Sequence, residues 1–153
     1  MSNKYCRVYT EEDDAAYFAC CIIEDISRKT NQHKKDILNL IGKEGLSFLL
    51  DYADILHCDT FDETSETIIE RYSISKNILT RKKHFNCKVP TITEISTTFR
   101  SVYLRLNGEP YERFHKMYNS LVCDKIDDYN CSMYYENPDY IVACIEANEL
   151  LIY

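Results

Sequence analysis

Residues 45–57 read GLSFLLDYADILH, a stretch in which Ser47, Asp51 and Asp54 recur at helical spacing while nearly everything between them is apolar. The spacing predicts a helix buried on most of its circumference and central to the molecule, with those three residues on its exposed edge. Leu49 and Leu56 then belong to the core. Nothing in the stretch supplies a recognisable catalytic apparatus.

Working outward, the preceding sequence predicts two more helices. Thr10 is a good N-cap, acids fill residues 11–14, and Arg28 with Lys29 close the positive end of a first helix whose apolar stripe includes Phe18, Ile22 and Ile26. A short helix over residues 34–41 carries Ile37, Leu38 and Ile41, and Gly42 or Gly45 can end it. Residues 61–79 suit either strand or helix, because Thr67, Ile68, Ile69 and Ile74 favour the first and the spacing of Ile68, Tyr72 and Leu79 the second. Helix is the reading adopted.

The second half opens with a helix over residues 91–106, with Ile92, Ile95, Phe99, Val102, Tyr103 and Leu106 on one face and Gly108 as the stop. Pro110 starts the next, which holds Tyr111, Phe114, Met117, Leu121, Val122 and Ile126 in a single run. Residues 130–136 read as a turn. Asn137 and Pro138 then open a final helix bearing Tyr140, Ile141, Cys144, Ile145 and Leu150.

Composition agrees with an all-α chain. The 153 residues are 45% hydrophobic, enough to bury about two thirds of the unfolded surface, and three Gly with three Pro are too few for a many-turned β-sandwich. The expectation is a compact bundle of six to seven helices in two packed halves, residues 1–79 and 91–153, joined by a basic connector over 80–90. The halves either form one core or pack as two.

Charge and apolar content exclude several classes. The net charge of −7 is uneven: residues 1–76 carry 9 Lys and Arg against 15 Asp and Glu, residues 77–91 carry 4 against 0, and residues 92–153 carry 5 against 10. Phosphate binding needs a concentrated basic face, so nucleic acid is disfavoured as a partner. The apolar run 15–23 is less than half of the ~20 residues a membrane span needs, and residues 1–9 lack a signal-peptide layout. A cytoplasmic protein with no membrane partner is expected, its eight cysteines reduced and mostly buried.

From residue 17 to residue 75, the helix FACCIIEDISRKTN, an aliphatic helix and then LLDYADILHCDT with its Ile-rich sequel resemble a family of short bacterial proteins of unknown function. Members of that family are often encoded beside ADP-ribosyltransferase-like toxins. The resemblance implies an antitoxin or toxin-partner role, with a neighbouring toxin as the partner. It does not extend beyond residue 90.

No motif for catalysis, metal or cofactor emerges. His57 beside Cys58 reads as a helix-end histidine rather than a nucleophile with its base, because sequence neighbours on a helix end point apart. There is no CxxC, HxxxH or HExxH, and Cys123, Cys131 and His115 read as separate residues. Arg28 and His33 have the spacing used by helical ribonucleases of the higher-eukaryote-and-prokaryote nucleotide-binding superfamily. Asp124, Asp127 and Asp128 share a helix face that could hold Mg²⁺ opposite Glu136, Asp139 and Glu146, against the plainer reading of a solvated acidic surface. Arg81, Lys82, Lys83, His84 and Lys88 of the connector are at most phosphate contacts.

Of thirteen tyrosines, eight lie in the second half. Tyr129, Tyr134, Tyr135 and Tyr140, clustered about one turn, suit a protein interface or core-boundary packing. With Asp51 and Asp54 they are the candidate partner-binding residues of a non-enzymatic protein-binding module. Two alternatives stand beside it: a helical nuclease or nucleotide-acting enzyme, and an oligomerising structural or phage-encoded regulator.

Overall fold

The computed structural model describes residues 10–56, 59–76, 80–81 and 86–151. Among them are eight α-helices, a 3₁₀ turn and no strand. His57, Cys58, Leu79 and the connector residues Lys82, Lys83 and His84, all named above, lie outside the described residues.

Helix α1 (Glu11–Thr30) begins where the sequence places it: the Thr10 hydroxyl accepts from Asp13 N, and the Asp13 carboxylate accepts from Thr10 N. Residues 18–27 are buried on every face. The central helix is therefore α1, not the 45–57 segment, and α2, α4 and α5 pack around it.

Helix α2 (Lys34–Asp51) is capped by His33, whose Nδ1 accepts from Lys35 N at 3.1 Å. Gly42 breaks it with φ 64° and ψ −169°, a conformation only glycine adopts readily, so two helical pieces meet at a kink as the sequence predicts. Gly45 permits a close approach: an added Cβ would stand 2.5 Å from Ile41 Cβ and 3.1 Å from the Tyr72 hydroxyl.

The 45–57 helix breaks at Tyr52, and α3 (Ala53–Leu56) is a single turn. Ser47, Asp51 and Asp54 are exposed as expected and Leu49 is fully buried, but Leu56 is half-buried, Tyr52 is exposed and Ile55 is 68% exposed. The break turns these apolar residues outward.

Helix α4 (Phe61–Arg71) settles the strand-or-helix question, with Thr60 and Glu63 forming its capping box. It stops well short of residue 79, because Ser73 takes φ 51°. Helix α5 (Ile92–Tyr103) follows the predicted face. The single run expected from Pro110 is divided into α6 (Pro110–Tyr118) and α7 (Leu121–Asp127), where the Ser120 side chain caps a new start by accepting from Cys123 N. The expected turn contains the 3₁₀ element Ser132–Tyr135, and α8 (Pro138–Ala147) closes the chain. Asn148, left-handed at φ 54°, ends α8 before Leu150. Eight helices replace the expected six to seven because of these breaks.

One continuous apolar cluster draws on both halves of the sequence, from Ala16 to Ile145. At its centre Phe99, Tyr103, Phe114 and Tyr118 pair ring to ring at 4.8–5.7 Å.

Candidate partner-binding groove

Two places in the fold concentrate polar groups. The first is inside it. Lys34 Nζ donates to Glu24 Oε2 at 2.6 Å and to Asp127 Oδ1 at 2.5 Å, and stands 4.7 Å from the centre of the Phe99 ring. Arg81 donates to Glu24 Oε1 at 2.7 Å, to the Ser27 hydroxyl at 2.6 Å and to the Tyr129 hydroxyl at 2.9 Å. Arg28 reaches Glu24 Oε1 at 2.8 Å.

Burial alone would raise the Glu24 carboxyl, but Lys34, Arg81 and Arg28 outweigh it and hold Glu24 below the usual carboxylate range. Burial would likewise lower Lys34, and Asp127 with Glu24 hold it above the usual lysine value. The cluster is charged and internally compensated. Its role is to fasten α1, α2, α7 and the connector together.

This cluster takes up Arg28, Asp127 and Arg81, three of the residues that pointed to chemistry. Arg28 is spent on Glu24 and the Pro90 carbonyl, while His33 caps α2 and faces the Asp124 carboxylate. They do not converge as ribonuclease partners. Asp127 is buried on Lys34, whereas Asp139 pairs with Arg105 at 2.8 Å and Glu146 with Lys116 at 2.6 Å, so these three carboxylates are each engaged by a cation of the chain.

His33, Cys123 and Asp127 do bring ligand atoms within 4.8 Å of one another. The donor set does not suit a metal, however. The position beside Asp127 is filled by the Lys34 ammonium, His33 Nδ1 is engaged by Lys35 N, and burial pushes the Cys123 thiol well above its ordinary value.

The tyrosine cluster is mostly structural. Tyr129 is buried with its hydroxyl on Arg81, and Tyr140 donates to the Leu151 carbonyl at 2.8 Å. Tyr134 packs between Tyr129 and Tyr135 at 6.3 and 4.8 Å, leaving Tyr135, 72% exposed, as the one open to solvent. Arg81 leaves the basic connector for the interior, contrary to its expected place on an exposed connector; its side chain is 8% exposed.

The second place is on the surface and takes in Asp51 and Asp54. A cleft of about 470 Å³ lies where the N-termini of α1 and α6 meet the end of α2, with Leu46, Leu50 and Ala53 among its apolar lining and Tyr103 and Tyr111 on its α5–α6 side. A second hollow of about 400 Å³, lined by Tyr17, Phe18 and Phe61, shares Ala15, Ala53 and Asp54 with it, so the two adjoin along α1 and are together called the groove.

Six exposed carboxylates stand along the groove: Glu11, Glu12, Asp14, Asp51, Asp54 and Glu109. Lys43 is the one cation among the described residues that line it. Glu12 bonds Arg113 at 3.2 Å.

Helix physics accounts for some of this charge. Acids at the N-termini of α1 and α6 favour the helix dipole, and the sequence by itself explains Glu11, Glu12 and Asp14 only in that sense. Asp51 is different. It is the last residue of α2, where a negative charge opposes the dipole and the helix's last turn carries no basic residue.

Comparison with known protein families, curated proteins and solved structures found no match.

Proposed function

We propose that this protein acts by binding another protein, and that the groove along α1 receives a basic, amphipathic segment of that partner. The observation that carries the reading is the six carboxylates standing over an apolar and aromatic floor, with Asp51 held at an electrostatically unfavourable helix end. Apolar side chains of a guest would bury against Leu50, Ala53 and Phe61. Its cations would steer association and fix orientation.

A photo-reactive amino acid at Ser47, inside the groove, tests this against the same group at Thr67, exposed on α4 and not among the groove-lining residues. The reading expects an adduct at Ser47 whose cross-linked peptide is basic, and none of that peptide at Thr67. An acidic peptide overturns it. An adduct to a second copy of this chain, with a doubled mass in solution, overturns it in favour of self-association.

The narrower role of antitoxin or accessory partner comes from the resemblance of residues 17–75. Co-expression with the product of a neighbouring toxin gene tests it: relief of toxicity is expected, and toxicity unchanged with no complex formed would end it.

A further inference from the structure

We infer that the deep end of the groove is a pocket for a single lysine ammonium or arginine guanidinium of the partner, with the Tyr103 hydroxyl as its neutral anchor. The inference rests on the partner-binding reading above. Tyr103 lines the cleft yet is 1% exposed, and its hydroxyl has no hydrogen-bond partner among the described residues. A buried phenol ordinarily finds one, so an orphaned hydroxyl beside a cleft marks a place where a guest atom belongs.

The orientation follows from its neighbours. The Arg113 guanidinium covers the Tyr103 ring at 4.2 Å and is itself held by Glu12, so one face of the ring is already occupied. The groups that bear on the hydroxyl are Arg113, Glu12, the buried Cys20 and Asp13, so it lies against α1, the helix whose first turns wall the cleft.

The surrounding charge selects the guest. A carboxylate or phosphate entering here would meet the carboxylates of Glu11, Asp51, Asp54 and Glu109 against the single cation Lys43 among the described residues, whereas an N–H cation meets those four carboxylates and the phenol oxygen as acceptors. Lysine and arginine share that chemistry: several N–H donors on one positive head, carried by an apolar stem that can lie along Leu46 and Leu50.

The test is a titration of the full chain, followed by amide NMR at fixed ionic strength, with N-acetyl-lysine methylamide, N-acetyl-arginine methylamide and the uncharged N-acetyl-norleucine methylamide. At least one cationic probe should shift the amides of Leu46, Ala53 and Tyr111 saturably, and norleucine should not. Tyr103→Phe should weaken that probe by about three- to tenfold, the worth of one hydrogen bond, and Asp54→Asn, a surface change that leaves the core intact, should weaken it as well.

Equal responses to lysine and norleucine, or shifts scattered over every acidic surface, would overturn the inference. So would a folded Tyr103→Phe protein that binds the probe undiminished. A basic adduct at Ser47 that is indifferent to Tyr103→Phe would leave partner docking standing and remove this pocket. Probe binding without any adduct at Ser47 would do the reverse.

Discussion

Lys34 and Glu24 form an ion pair of 2.6 Å in which the two side chains are 0% and 1% exposed. Ten residues apart in sequence, they join the central helix to the start of the next. Because Asp127 takes another N–H of the same ammonium, Lys34 is the cation on which two buried carboxylates depend.

Lys34→Met should therefore destabilise the protein by about 3–5 kcal/mol, since removing one partner leaves buried negative charge uncompensated. Urea unfolding measures it. A loss below about 1 kcal/mol would mean that water or Arg81 compensates Glu24 and Asp127 without Lys34.

The pH dependence follows from the same cluster. Glu24 titrates lower in the folded than in the unfolded chain, so its contribution is complete above the unfolded value of about 4.3 and is lost as pH falls through the folded one. Lys34 is raised, and Tyr103 is raised to about 12 mainly by burial, so their contributions are complete below about pH 10 and are lost as pH rises through the folded values. Unfolding midpoints should be highest between about pH 5 and 9 and fall on both sides. Glu24→Gln should flatten the acid limb, and an unchanged acid limb in that variant would contradict the assignment.

Leu49 and Leu56 separate core from rim within the stretch that decides the fold. Leu49 is fully buried and Leu56 half-buried at the break after Tyr52. Leu49→Ala should cost about 2–5 kcal/mol and Leu56→Ala clearly less. Equal losses would show that α3 belongs to the core after all.

Asp51→Asn should raise stability by about 0.3–1 kcal/mol, because it removes a charge that opposes the α2 dipole and faces other carboxylates. The same change should weaken partner binding. Thermal unfolding beside a binding assay reads both, and a loss of stability would show that Asp51 serves the fold rather than a guest.

What the sequence made legible was local. Thr10 and Asn137 cap helices because capping is settled within four residues, and Gly42 breaks a helix because no other residue enters φ 64° so cheaply. The split at Asn119 and Ser120 was hidden, since the apolar positions on either side continue one period. The buried charges were hidden for a different reason. Glu24 directly follows the apolar run 15–23 and has Arg28 one turn on, which were the available signals, but its other cations arrive from Lys34 and from Arg81, 57 residues on.

The groove was half legible. Periodicity exposed Asp51 and Asp54, yet it cannot show that their face adjoins the N-termini of α1 and α6, which only packing brings together. For Tyr129 and Tyr140 the sequence left interface and core-boundary packing open, because composition reports how many tyrosines a segment holds, not that the Tyr129 hydroxyl meets Arg81 and the Tyr140 hydroxyl the Leu151 carbonyl.

Selection of displayed random peptides on the intact protein tests the central claim most directly, because the groove itself then chooses the chemistry it binds. The account predicts peptides rich in Lys and Arg, with apolar residues three or four positions apart, that bind the native chain and are lost when Asp51→Lys and Asp54→Lys are combined. Peptides that are acidic or uncharged, or basic ones that bind the charge-reversed protein equally well, would contradict it.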